Sequence, residues 1–328
     1  MKRALPVTSR DIARFLGVSQ SMVSRAFDPA GKVSPANRAR IMEAAEKLGY
    51  RPNAIARSLS TRRSGIVAIV MGGMENPFYS EVLDKLAAAL DLAGFRSLLF
   101  RAPPGQDVDG QLPALRQYNV DALIVASASI SSRIAEEWRR DSRRIVLFNR
   151  TISDADVPSV SCDNFGGARD VANMLADRGH RRVAYVAGPR QTSTNREREA
   201  GFLAGLMGAG SSLVGRVDTA SYSFAEGFRA AEAAIATKPD AIFFANDILA
   251  LGGMDYLRGT AGLSIPRDVS VVGFDDIAMA AWPSYLLTTV RQPLDRMVEL
   301  TIASLERDSA TKEMNNIPIE IVLRNTIS

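Results

Sequence analysis

Through residues 1–50, apolar side chains recur at three- and four-residue spacing in three short blocks, the pattern of three small amphipathic helices. In the first block Ile12, Ala13 and Phe15 are expected to face inward. Thr8-Ser9-Arg10-Asp11 has the form of a capping box, with Thr8 as N-cap and Asp11 at the third helical position. Gly17 breaks this helix, and Ser19 caps a second one running to about Phe27. Asp28-Pro29-Ala30-Gly31 reads as a loop. Ser34 then caps a third helix with Pro35 at its favoured first position; Ile41, Ala44, Ala45 and Leu48 share a face, and Gly49 ends it. Residues 51–64 hold one short helix at most, capped by Asn53, and then the polar linker Thr61-Arg62-Arg63-Ser64-Gly65. About two turns of helix are too few to be stable alone in water.

From Gly65 onward the period changes. Short apolar runs at 65–70, 121–126, 144–149, 182–188, 241–247 and 270–276 alternate with amphipathic or Ala-rich stretches such as Phe78–Ala93, Ala168–Arg178, Glu197–Met207 and Ala225–Ala236. Buried parallel strands joined by crossover helices produce this rhythm. In such sheets ligands sit beyond the carboxyl ends of the strands. Those ends are polar here: Asn149-Arg150, Gly188-Pro189, Asn246-Asp247 and Asp275-Asp276. A further strand-like run covers Ile317–Arg324, and no heptad pattern follows it, so a coiled-coil tetramer is not expected.

Charge sharpens the division. Residues 1–64 hold 13 Lys and Arg against 4 Asp and Glu, whereas the remainder holds 27 against 32. A basic head on a mildly acidic body points to a head that meets a polyanion. One Cys (Cys162) excludes a disulfide framework, and one His (His180) excludes a site needing two imidazoles. No phosphate loop and no Gly-x-Gly-x-x-Gly follows the first strand. Asp275 and Asp276, adjacent on an extended run, are expected to point oppositely and to make poor acid–base partners. No enzyme constellation, cofactor or metal site is therefore expected. Nowhere do 18 consecutive apolar residues occur and no export signal opens the chain, so the expectation is a cytoplasmic protein.

Two helices joined by the tight turn Leu16-Gly17-Val18 make a helix-turn-helix unit, whose second helix enters the DNA major groove. Its start is Gln20 and Ser21, with Ser24 and Arg25 one turn on. Gln suits adenine edges, Ser several bases, and Arg guanine or phosphate. A small helical domain with a polar face is the competing reading, and the basic head favours DNA.

The segments VTSRDIARFLGVSQSMVSRAF and KVSPANRARIMEAAEKLGYRPNAIARSL resemble the DNA-binding head of the lactose-repressor (LacI/GalR) family of bacterial regulators. The likeness continues through NPFYSEVL (76–83), GHRRVAYVAGP (179–189), AIFFANDILALGGM (241–254), VSVVGFDDI (269–277) and LTTVRQP (287–293). It implies an all-α helix-turn-helix head over 1–50, a hinge helix and linker over 51–64, and an α/β effector-binding and dimerisation body over 65–328. The body would hold two doubly wound parallel-sheet lobes resembling periplasmic binding proteins. Lobe 1 would take about 65–162 and 292–322, and lobe 2 about 163–291 and 323–328. The resemblance further implies a homodimer on a near-palindromic operator, gated by a small-molecule effector.

By position in the family pattern, Gln20 and Ser21 read bases beside Arg25, while Thr8, Ser9, Arg10, Ser24 and Lys32 contact backbone or bases. Asn53 and Arg57 belong to the hinge, and Leu59 falls at its minor-groove wedge. Met22 and Asp28 depart from the family's small polar residues and Asn; Asp28 either turns inward or alters half-site preference. In the body, Asn149, Arg198, Asn246 and Asp275 are the candidate effector contacts, with Tyr222 as aromatic cover, Phe78 and Tyr79 from the opposite lobe, and Gln292 in a crossover. Asn246 and Asp275 as helix caps, and Arg198 as a surface charge, are the competing readings. Met71-Gly72-Gly73-Met74 stands where many relatives have a polar strand end, and Arg150 adds a cation near the mouth. The expected effector is a sugar or sugar acid, with a nucleobase as the alternative. Repression is favoured over activation. The rival functions are a transport solute-binding protein, opposed by the basic head, and a nucleotide-using enzyme, opposed by the missing phosphate loop.

Overall fold

The computed structural model of the chain describes residues 7–28, 31–51, 63–102, 108–110, 112–126, 130–141, 143–152, 157–306 and 314–328. They form two compact units, Met1–Ser64 and Gly65–Ser328.

The head holds three helices, α1 (Ser9–Leu16), α2 (Gln20–Ala26) and α3 (Pro35–Leu48). Their ends are written in local chemistry. Asp11 accepts hydrogen bonds from the Thr8 hydroxyl at 2.7 Å and the Thr8 backbone N–H at 2.9 Å, and these bonds hold its carboxyl below the usual range. Gly17 closes α1 at φ 67°, where its N–H reaches Ala13 and Arg14 carbonyls; an L side chain is disfavoured there by the backbone angle itself. Ser19 and Ser34 accept from the N–H groups of Met22 and Asn37. Ile12, Val23, Ala26, Ile41, Ala44 and Ala45 form the small core. Phe15, expected inward, is 56% exposed. The face of α1 is centred on Ile12, Ala13 and Leu16, and at about 100° per residue Phe15 falls outside that arc.

In the body, the first sheet runs β11-β5-β4-β3-β1-β2, with β1 Ile66–Met71, β2 Arg96–Arg101, β3 Ala122–Ala126, β4 Arg144–Phe148, β5 Ser159–Cys162 and β11 Met314–Ile317. All its pairings are parallel. The second sheet, also parallel, runs β7-β6-β8-β9, with β6 Arg182–Ala187, β7 Ser212–Asp218, β8 Ala241–Phe244 and β9 Ser270–Val272. A third, two-stranded sheet pairs β10 (Thr289–Arg291) antiparallel with β12 (Glu320–Val322). The helices are α4 (Pro77–Leu92), α5 (Leu112–Gln117), α6 (Ser132–Arg140), α7 (Asn164–Asp177), α8 (Ser193–Ala209), α9 (Phe224–Ala236), α10 (Asp247–Asp255) and α11 (Leu294–Glu306). Central strands β1 and β3 are buried on both faces, as helix-covered parallel strands must be.

Two sequence expectations change. The run at 270–276 is a strand only to Val272, and beyond it Asp275 (φ 127°) and Asp276 (φ 55°) leave extended geometry. They still serve different partners, Asp275 facing Arg198 while Asp276 pairs with Arg291 and Arg324. The run 317–324 is split: β11 ends at Ile317, and β12 begins at Glu320 on a different sheet. Both sheets reverse strand order next to their first strand, β1 or β6, and so each has the switch point where open α/β sheets receive ligands.

Candidate ligand crevice and nucleic-acid face

The carboxyl ends of both parallel sheets converge on one crevice. After β1, Asn76 caps α4 by accepting from the Phe78 N–H at 3.1 Å, which sets Phe78 and Tyr79 in the first turn. Their rings meet edge to face at 5.3 Å. Asn149 lies just beyond β4, Arg198 on α8 after β6, Tyr222 between β7 and α9, Asn246 beyond β8, and Asp275 beyond β9. Seven of the eight expected effector residues line this crevice; Gln292 does not, and instead donates to Asp275 Oδ1 at 2.7 Å from behind it.

Arg198 is the centre of the polar network. It is 3% exposed, so it is no surface charge. Its Nη2 reaches Asp275 Oδ1 at 3.3 Å, Nε reaches Asn164 Oδ1 at 2.9 Å, and Nη1 reaches the Ala245 carbonyl at 2.6 Å. The guanidinium lies 3.6 Å over the Phe274 ring. Burial raises the proton affinity of Asp275, and Arg198 opposes that rise. Asn76 Nδ2 also reaches Asp275, at 3.5 Å. Burial pushes the Cys162 thiol up to about 12, so it stays protonated at neutral pH and donates to Gln292 Oε1 at 3.3 Å. Asn246 is both a cap and a lining residue: its Oδ1 accepts from the Leu249 N–H at 3.1 Å. Beside it Asp247, fully buried and pushed up to about 8 by that burial, is packed against the Thr289 hydroxyl and the Ile277 N–H.

Tyr222 approaches Gly188 so closely that a Cβ there would come within 2.2 Å of the ring, so the aromatic wall in this position requires glycine. Two lining residues, Asn76 and Thr194, escaped the sequence reading. The Asn76-Pro77 pair is a helix-start signal that marks the first, and Thr194 follows β6 in the opening turn of α8. Met71 is buried within β1, so the apolar run expected at that wall gives way to Asn76. His180 is buried outside the crevice, 3.6 Å from Asp240, and burial lowers its proton affinity.

In the head, Thr8, Arg10, Gln20, Ser21, Ser24, Arg25 and Lys32 are exposed and Ser9 is half-buried. Gln20 is oriented by its neighbours, donating to Ser9 Oγ at 3.1 Å and accepting from Arg10 Nε at 3.4 Å. Ser21 Oγ lies 3.0 Å from Ser19 Oγ, and Arg25 Nε donates to the Ser21 carbonyl at 3.2 Å. Met22 packs against the core, and Asp28 is exposed, so it does not turn inward. Arg38, which sequence reasoning passed over, ties the end of α2 to the next loop by donating to the Ala26, Asp28 and Gly31 carbonyls. Asn53, Arg57 and Leu59, with the expected hinge helix, lie outside the described residues.

Comparison with known proteins adds three findings. Residues 8–53 match the model for bacterial regulatory proteins of the lacI family, and residues 172–327 match a periplasmic binding protein-like domain. The HTH-type transcriptional regulator CelR of Thermobifida fusca is 31% identical over 336 residues, covering 98% of this chain and 97% of that protein. Among solved structures, a CelR–cellobiose complex is similar at TM-score 0.72 and 26% identity, covering 98% of this chain and 99% of that one. The lac repressor dimer bound to operator and an anti-inducer shares the fold at TM-score 0.84 and 24% identity, covering 98% and 99%.

Proposed function

This chain belongs to the lacI family of bacterial regulatory proteins, and from that premise we propose that it is a dimeric repressor whose grip on a near-palindromic operator is gated by a carbohydrate-like effector in the crevice. It is a DNA-binding transcriptional regulator, not an enzyme. It works in the cytoplasm, beside the DNA; no helix among the described residues is long and apolar enough to cross a membrane.

The single observation that carries the effector reading is the convergence of Asn149, Arg198, Tyr222, Asn246 and Asp275, from two sheets, on one crevice. A polyol needs fixed donors and acceptors together with a flat apolar wall, and these residues supply both. The cellobiose held by a similar regulator supports a sugar class. Gln292 acts through Asp275 and positions it. In the head, Gln20, Ser21 and Arg25 read bases, while Thr8, Ser9, Arg10, Ser24 and Lys32 hold the duplex. Asn53 and Arg57 of the hinge track the DNA and Leu59 wedges its minor groove. Closing the crevice on the effector changes how the two halves of the body sit, and so alters the affinity for operator.

The test is operator selection from sheared genomic DNA, followed by anisotropy titration of the selected duplex with and without candidate sugars. The expected outcome is a near-palindromic site whose affinity shifts by about 5–150-fold with one sugar. No enriched site, or an affinity indifferent to every small molecule that binds the body, refutes the proposal.

A further inference from the structure

We infer that the effector is a polyhydroxylated monocarboxylate, with its carboxylate held by Arg150 at the first turn of α8 and its hydroxyls met by Asn149 and Asn246. The inference rests on the reading of the crevice as the effector site.

Arg150 follows Asn149 beyond β4 and is 7% exposed. Its Nη1 donates to the Asn149 carbonyl at 2.7 Å and to Thr194 Oγ1 at 3.1 Å. Among the described residues no carboxylate pairs with it, and its Nε and Nη2 have no protein partner. This guanidinium does not itself line the crevice but bonds two residues that do, Asn149 and Thr194, and its unpartnered edge still reaches water, so an anion can approach it. The neighbouring acids are committed elsewhere. Asp275 pairs with Arg198, and the Glu197 carboxylate accepts from Thr151 Oγ1 at 3.2 Å and Asn164 Nδ2 at 3.0 Å.

Thr194 places this guanidinium against the start of α8, a 17-residue helix. The N-cap of α8, Thr192, makes no side-chain capping bond; its hydroxyl donates instead to the Pro189 carbonyl at 2.9 Å. The first amides of α8 are therefore without a side-chain acceptor, and they carry the positive end of the helix dipole.

A second observation points to a ligand independently of charge. Asn149 is 2% exposed, lines the crevice at φ 53°, and its buried Oδ1 has no hydrogen-bond partner. A buried acceptor without a partner is a cost that a ligand hydroxyl donating to Oδ1 would offset. Asn246 spends its Oδ1 on the cap of α10, which leaves Nδ2 to donate to a second hydroxyl.

The free Nε–Nη2 edge of Arg150 is a two-donor fork that matches the two oxygens of a carboxylate. A dianionic phosphate would bring a second negative charge toward Asp275 and Glu197, which disfavours it.

The test is titration calorimetry on the full chain with matched pairs: galacturonate against galactose, glucuronate against glucose, and gluconate against sorbitol, with glucose 6-phosphate alongside. One acid is expected to bind about tenfold or more tightly than its neutral counterpart. Arg150→Gln is expected to bring the acid down to the level of the neutral sugar, and Arg150→Lys to keep part of the preference. Neutral sugars binding as tightly as their acids, an acid preference that survives Arg150→Gln, or uptake of the phosphate ester alone overturns the inference and leaves the carbohydrate reading standing. A folded chain that takes up none of these compounds overturns both. The acid–neutral comparison is made on the unaltered protein, so it does not depend on whether the variants fold.

Discussion

Asp275→Ala is expected to abolish the effector response and to lower folding stability by about 3–5 kcal/mol, the usual consequence of removing one partner from a buried ion pair. The structure explains why both effects are large. Arg198, 3% exposed, would keep the Asn164 side chain, the Ala245 carbonyl and the Phe274 ring, none of them charged. Gln292 and Asn76 would each lose the acceptor they now share. Asp275→Asn, which keeps the shape and one acceptor oxygen, separates the two effects, because it should recover part of the stability and little of the effector affinity. Urea denaturation reads the first quantity, and calorimetry with the sugar that binds the unaltered protein reads the second. A folded Asp275→Ala protein with normal sugar affinity would remove this carboxylate from the ligand's surroundings.

Exchanging Gln20 and Ser21 for a different pair of polar residues should redirect operator choice while barely touching the grip on random duplex. Each well-formed base contact is worth about 1–3 kcal/mol of discrimination, so preference between half-sites should move by about tenfold to a hundredfold. Non-specific affinity rests on phosphate contacts and should stay within about twofold. The substitutions spare Val23 and Ala26, which carry the packing of α2, so the head keeps its core. Selection from operators randomised at the half-site centres gives the answer, and an unchanged consensus would move base reading away from the start of α2.

The head was legible almost in full because its signals are local. Thr8, Ser19 and Ser34 start helices within three residues of the groups they bond, and Gly17 and Gly49 end them at positive φ. Phe15 was misjudged because apolar character says nothing of angular position on so short a helix. In the body, the buried runs announced β1, β3, β4, β6, β8 and the start of β9. Strands β2 and β7 are edge strands with half-exposed, polar-interrupted sequences, and β5 alternates Ser159 and Ser161 with its apolar residues, so none of them stood out. The crevice divides in the same way. Strand ends flagged Asn149, Asn246 and Asp275 directly. The bond from Asn76 to Asp275 spans 199 positions and that from Arg198 to Asn164 spans 34, and no periodicity records such pairings. The orphaned Oδ1 of Asn149 and the lack of a counter-ion at Arg150 are visible only once the fold has placed both residues.

A lacI-family regulator with so basic a first 64 residues is expected to hold duplex DNA through its phosphates while its body senses a metabolite. The most direct measurement is the affinity of the intact chain for double-stranded DNA across a salt series, with a neutral polymer of equal length as reference. Strong binding is expected at low ionic strength, with log K falling linearly against log salt and a loss of about 10³–10⁵ between 50 and 200 mM if six to ten phosphates are engaged. Equal, salt-insensitive uptake of DNA and the neutral polymer would contradict it.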